Sequence, residues 1–249
     1  MDSDLTPSRL SGITTLWSVL REAHEGKGET ATAAQELLIR RYGEAVRRYL
    51  LAAVRDPHAA DELTQEFALA LVRGSFHAAD PQHGRFRDYV KTVLFHLVSK
   101  YREAQKKRRA VLAPDSPALA KLAAPAHDAD QAFDQACRED LLARAWDALA
   151  DAHPTYYAVL RFKTEHDQMP YAEVAAQLGR QLGKPLTADG ARQAMHRARE
   201  LYADLLLEEV ARSLESPTLE RVTEELGELN LLIYCQPALD RYSRQRKGS

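Results

Sequence analysis

Two stretches of the chain carry side chains whose types and spacing suit contact with a polyanion. From Arg85 to Arg109, nine basic residues (Arg85, Arg87, Lys91, Lys100, Arg102, Lys106, Lys107, Arg108, Arg109) meet only Asp88 and Glu103, a local charge of +7. Tyr89, Phe95 and His96 are interleaved among them. Such rings stack on unpaired bases while neighbouring cations hold phosphates. Phe86, Tyr89 and Phe95 taken singly also suit a core face. The second stretch is Thr187–Arg199, where Arg192, Gln193, His196, Arg197 and Arg199 recur on the polar side of a helix that Thr187 can cap. An arginine there can bind guanine O6/N7 or a phosphate, and a glutamine can pair with adenine. The small Ala188, Ala191 and Ala194 let such a helix enter a groove. With Tyr171–Gly179 before it, the pattern is a helix-turn-helix, or a plain helical hairpin with solvated arginines. A third stretch has the opposite sign. Asp56, Asp61, Glu62 and Glu66 fall between Asp56 and Leu69 with no Lys or Arg, a surface suited to a basic partner.

The elements that must position these groups read as helices throughout. Alanine and leucine dominate, and no stretch alternates with period two. Helices are predicted over Ile13–Glu25, Ala33–Val54, Asp56-Pro57 to about Val72, and Phe86 to about Lys107. The Asp-Pro pair supplies a cap oxygen and a proline suited to the first turn. Gly74–Gly84 reads as a loop. Ala110–Asp130, with Pro114, Pro117 and Pro125 among small residues, reads as a flexible linker. Further helices are predicted over Gln131–Ala150, Thr155–Lys163, Tyr171–Leu182 and Thr187–Arg212. Thr218–Tyr234 reads as one amphipathic segment, and Arg241–Ser249 as a basic, frayed tail.

Composition bounds the function. The chain has 249 residues, 45% of them hydrophobic, 28% charged and 7% aromatic, enough to build packed cores. No apolar run approaches the roughly 20 residues of a membrane span, and no signal-peptide pattern follows Met1, so a cytoplasmic protein without a membrane partner is expected. Cys137 and Cys235 are too few for a disulfide framework, and Cys137 suits a core position. The net charge of −2 conceals segregation, since a polyanion responds to the local field within about 10 Å. His77, Asp80, His83 and Asp88 are metal-type donors, but no His-x3-His on a helix or Cys pair supports a metal site. No nucleophile setting and no glycine-rich phosphate loop occurs, so neither an enzyme nor a bound cofactor is expected.

The order of these motifs is similar to that of a bacterial RNA polymerase sigma factor of the extracytoplasmic-function (ECF) group. Asp61–Phe67 resembles the family's Asp-Leu-Val-Gln-Glu-Val-Phe helix, and Phe86–Arg109 its Phe-Arg-x-Trp-Leu…Asp-Tyr-Leu-Arg-Arg helix. Tyr171–Gly179 resembles Tyr-Glu-Glu-Ile-Ala-Glu-Ile-Leu-Gly, and Arg192–Arg199 resembles Lys-Ser-Arg-Leu-His-Arg-Ala-Arg. The Arg85–Leu94 wording is similar to that of planctomycete-type ECF factors. The resemblance covers about residues 33–109 and 135–210. It implies an all-α fold of two small helical domains joined by a flexible linker. The chain then divides into an N-terminal extension (1–32), a sigma region 2-like bundle (33–109), the linker (110–130), a region 4-like helix-turn-helix domain (131–212) and a C-terminal extension (213–249).

The resemblance further implies a factor, not an enzyme, that binds core RNA polymerase and directs promoter recognition, melting and initiation. Asp61, Glu62, Gln65 and Glu66 would face the clamp coiled coil of the largest subunit. Arg85, Arg87, Tyr89, Lys91, Thr92, His96, Lys100 and Arg102 would hold the strand of the minus-ten element. Thr187, Arg192, Gln193, His196, Arg197 and Arg199 would read the minus-thirty-five element as duplex. The sequence leaves open control by an anti-sigma factor, a kinase or the tail, whose Thr218–Tyr234 segment either folds back on the recognition helix or packs on its domain. The sequence departs from the family in the Arg180–Leu186 insertion, which leaves open a helix running to Leu182 with a turn at Gly183-Lys184-Pro185, or a loop. It departs also in Tyr89 for Trp and in Gly190-Ala191 for Thr-Val. The alternative is a helix-turn-helix regulator acting on duplex DNA without polymerase, under which the Asp61–Glu66 face has no task.

Overall fold

A computed structural model describes residues 14–74, 85–112, 126–183 and 185–247. Among them are ten helices and no strand. None of these helices is long and apolar enough to cross a membrane. The segments 1–13, 75–84 and 113–125 lie outside the described residues. So do the expected Gly74–Gly84 loop beyond Gly74, the His77, Asp80 and His83 donors, and most of the proposed linker. The chain divides into two compact units.

The first unit comprises Thr14–Asp140 and Arg212–Ser216. Helix α1 (Leu16–Glu25) is capped by Thr15, whose hydroxyl accepts from the Ser18 N–H at 3.2 Å. Helix α2 (Glu29–Val54) buries Leu38, Tyr42, Val46, Tyr49 and Leu50, an i, i+4, i+7 stripe. Helix α3 (Pro57–Val72) begins as its sequence requires. Asp56 accepts from the His58 and Ala59 N–H groups at 3.0 and 3.3 Å, and Pro57 fills the first turn. Helix α4 (Phe86–Leu112) buries Phe86, Val90, Leu94 and Val98. Trp17 packs edge-on against Phe86, ring centroids 5.2 Å apart. The residues expected to form a separate N-terminal extension thus supply a core tryptophan.

Helix α5 (Ala126–Ala152) departs furthest from the sequence reading, which ended a linker at 130 and opened the second domain at 131. Its residues up to Asp140 belong to the first unit, and those from Leu141 to the second. Ala129, Phe133, Ala136 and Cys137 join the first unit's core. Phe133 is fully buried, 6.2 Å from Tyr42 and 6.3 Å from Tyr49 between ring centroids. The division therefore falls inside a helix. A second departure is the segment Arg212–Ser216. Its Arg212 carbonyl accepts from the Leu16 N–H at 2.7 Å and its Ser213 carbonyl from the Phe86 N–H at 3.3 Å. It thereby satisfies a donor left open at the start of both α1 and α4. Leu214 is buried, and Glu215 accepts from Thr15 and Arg21 at 3.2 and 3.1 Å.

The second unit comprises Leu141–Ala211 and, among the described residues, the chain from Pro217. Helices α6 (Pro154–Glu165), α7 (Tyr171–Gln181) and α8 (Ala188–Ala211) pack around Val159, Val174, Leu178, Ala191, Met195 and Ala198. Trp146 of α5 lies 4.9 Å from the Tyr202 ring, and the Tyr202 hydroxyl donates to the Leu142 carbonyl at 3.3 Å. The expected single segment Thr218–Tyr234 is two helices, α9 (Leu219–Glu228) and α10 (Leu232–Lys247), broken at Asn230 with φ 54°. Asparagine tolerates that left-handed geometry better than most residues. Helix α10 continues through the stretch read as a frayed tail. Leu206, Leu207, Val222, Leu226, Leu231 and Cys235 are buried together, so the C-terminal segment packs as part of this unit.

Candidate nucleic-acid interface

Of the eight expected strand contacts, seven on α4 and Arg85 just before it, three are turned into the fold. Arg87 is buried, its side chain 4% exposed, and its guanidinium donates to Asp134 at 2.7 Å. Lys91 donates to the other Asp134 oxygen at 2.8 Å, and its ammonium lies 5.7 Å from the Phe133 ring centroid. Tyr89 is half-buried beside Trp17, ring centroids 5.4 Å apart, and burial pushes its hydroxyl up to about 12. The physical reason is phase. Residues 87, 91, 94 and 98 share a helix side with the buried stripe, so the two cations reach the α5 carboxylate rather than solvent.

The other five lie nearer the surface. Arg85 is half-buried, 3.9 Å from Asp88, and the Thr92 hydroxyl donates to the Asp88 carbonyl at 2.9 Å. His96 is exposed beside Phe95, ring centroids 5.8 Å apart. Phe95 itself is 55% exposed, against the core assignment its type allowed. Lys100 reaches Glu66 at 3.0 Å, and Arg102 donates to the Ala53 carbonyl at 3.1 Å. Lys106, Lys107 and Arg108 are exposed near the end of α4, where cations suit the helix dipole.

The four expected partner-facing residues of α3 are all exposed. Asp61 is held by Arg47 at 3.1 Å and Glu66 by Lys100, while Glu62 and Gln65 lie between them in sequence. Leu69 and Val72, 51% and 50% exposed, continue the same face at helical spacing from Glu62 and Gln65. Sequence reasoning passed over both. The signal was there, since they fall out of phase with the buried Ala59, Leu63, Phe67 and Leu71.

Comparison with protein families, with characterised proteins and with solved structures gives no match. The geometry of the second unit therefore carries its own weight. Helix α7 ends at Gln181, and Gly183 turns the chain with φ 63°, as in the first of the two arrangements the sequence allowed. Thr187 caps α8, its hydroxyl accepting from the Gly190 N–H at 3.0 Å. Glycine at 190 has a local reason: a Cβ there would stand 3.1 Å from the Thr187 hydroxyl.

Arg192, Gln193, His196, Arg197 and Arg199 are all exposed, opposite the buried Ala191, Met195 and Ala198. Arg192 pairs with Asp189 at 2.6 Å and stacks 5.4 Å from the Tyr171 ring centroid. Lys163 of α6, not foreseen, lies 5.5 Å from the same centroid. His196 reaches Glu200 at 3.3 Å. Arg241 of α10 binds Glu200 and Asp204 at 3.3 and 2.6 Å, and the Arg192–Arg199 face is exposed among the described residues.

Both thiols are inert by burial. It pushes the Cys137 thiol well above its ordinary range and that of Cys235 up to about 12. No group of His, Cys, Asp and Glu among the described residues is arranged to hold a metal ion.

Proposed function

We propose that this chain is an ECF-like sigma factor, binding core RNA polymerase through α3 and promoter DNA through α8 and the exposed part of α4. The observation that carries the reading is the surface of α3. Glu62 and Gln65 stand in line with exposed Leu69 and Val72, in a chain whose other unit presents a capped helix with an exposed cationic face. A mixed acidic and apolar stripe suits a basic helical partner, and a helix-turn-helix regulator working without polymerase leaves it unused. On this reading Arg192, Gln193, His196, Arg197 and Arg199 contact the minus-thirty-five duplex, with Thr187 setting the helix start. His96, Lys100 and the cations beyond them contact the melted minus-ten strand. The protein acts as an initiation factor in the cytoplasm and catalyses nothing itself.

Co-purification with core polymerase followed by run-off transcription tests this. The expected result is a complex that initiates at specific genomic fragments and is lost in Leu69→Asp. A protein that footprints palindromic sites as a dimer and neither binds core nor supports initiation overturns it.

A further inference from the structure

The segment 126–140 is anionic as well as apolar. Asp128, Asp130, Asp134, Glu139 and Asp140 meet only Arg138, a local charge of −4. Three of those carboxylates sit on cations of the same unit: Asp128 on Arg55 at 3.5 Å, Glu139 on Arg48 at 2.6 Å, and Asp134 on both Arg87 and Lys91. The last contact has a particular form. Two oxygens of one anion are each taken by a separate cation, at 2.7 and 2.8 Å, beside an aromatic ring. Arginine and lysine bind phosphate oxygens through the same charge-assisted hydrogen bonds.

A second contact ends at the same place. The Ser213 carbonyl, more than a hundred residues further along, accepts from the first N–H of α4. The N-terminal turns of α4 are thus covered by two pieces of chain from beyond residue 125.

We propose that Asp134 is a built-in stand-in for a strand phosphate. The Arg87–Lys91 pair becomes a contact for single-stranded DNA only when residues 126–140 lift from the first unit. The inference rests on the reading of α4 as a strand-binding helix and adds a closed state to it. In that state the pair is neutralised internally, and the strand is offered only the exposed cations of α4. Opening exposes Phe133 and Cys137, so the closed state is held by apolar packing as well as by charge. The strand itself must displace the helix.

The test uses the full chain carrying Cys235→Ala, which leaves Cys137 as the one thiol. A labelled mixed-sequence single-stranded oligonucleotide is the probe. Asp134→Asn is expected to raise affinity about tenfold and to steepen the dependence of log K on log salt by about 1.4, the value for two added phosphate contacts. Lys91→Gln is expected to take back about 0.7 of that slope in the Asp134→Asn background, the value for one of the two contacts, and to change little in its absence. In the chain with Asp134 intact, saturating oligonucleotide is expected to speed modification of Cys137, a readout that needs no variant at Asp134. Equal affinity and equal salt slope with and without Asp134→Asn, or Cys137 modification unchanged by bound oligonucleotide, overturns the closed state alone. If neither form binds the oligonucleotide, the strand-binding reading of α4 falls and the inference falls with it.

Discussion

Phe133→Ala discriminates sharply between the observed division of the chain and one that starts the second domain at residue 131. Phe133 is fully buried in the first unit, against Tyr42 and Tyr49 and under the Lys91 ammonium. Truncating a buried phenylalanine to alanine costs about 3–5 kcal/mol, the lost transfer energy plus the cavity left behind. For a unit of this size about 4 °C of Tm follows each kcal/mol, so the first unit should melt roughly 12–20 °C lower.

The two tryptophans let the units be followed separately, because Trp17 lies in the first and Trp146 in the second. Trp146→Phe leaves Trp17 as the reporter, and Trp17→Phe leaves Trp146. The Trp17 indole N–H has no acceptor among the described residues, so phenylalanine there forfeits no hydrogen bond. Thermal and urea unfolding should show the Trp17 transition shifted by Phe133→Ala and the Trp146 transition shifted far less. The reasoning is refuted if the Trp146 transition drops by 3 kcal/mol or more, an estimate from the same cavity argument, while the Trp17 transition stays put.

Three further outcomes follow from single contacts. Thr187→Ala removes the oxygen that caps α8 and should cost about 1 kcal/mol, with faster hydrogen exchange at the Gly190 amide as the local readout. Burial raises the hydroxyls of Tyr49, Tyr89 and Tyr202, that of Tyr89 to about 12. The unfolded chain ionises first, near pH 10, so their contribution is complete below pH 10 and should be lost as the pH rises towards 12, read by phenolate absorbance alongside unfolding. Truncation after Ala211 uncovers Leu206, Leu207 and Val210 and removes the segment that caps α1 and α4. The shortened chain should aggregate, and a soluble product with an unchanged Tm would contradict the packing described.

Much of the local structure was legible because its signals are local. Asp56-Pro57 and Thr187 announce helix starts by cap chemistry that acts within three residues. The apolar stripes of α2, α4 and α8 repeat at 3.6 residues whatever they pack against. What a stripe packs against is not local. Ala129, Phe133, Ala136 and Cys137 form a face that would suit either unit, and only the three-dimensional fit places it beside Tyr42 and Tyr49. The same limit explains why two cations expected at the surface are found turned inward. Arg87 and Lys91 carry the right chemistry for a strand, and their phase with Leu94 and Val98 hinted at an inward face. Their actual partner is a carboxylate 43 residues beyond Lys91. Leu69 and Val72 were missed for the converse reason, since an apolar residue is read as core until its phase is checked.

The +7 charge of the α4 segment thus overstates what it offers a polyanion. Arg87 and Lys91 are spent on Asp134, Arg102 donates to a backbone carbonyl and Lys100 is shared with Glu66. In the second unit Arg192 is tied to Asp189 and Tyr171 on an exposed face, while Arg197 and Arg199 point to solvent. If Arg192, Arg197 and Arg199 each neutralise one duplex phosphate, log K should fall with log salt at a slope of about −2.7. Lys106, Lys107 and Arg108 acting on a single strand would give about −2.1. Arg197→Ala should then lower the duplex slope by about 0.9 and leave the single-strand slope unchanged. A common slope change on both ligands would mean that one surface binds both, and the assignment of duplex to α8 and of the single strand to α4 would fall.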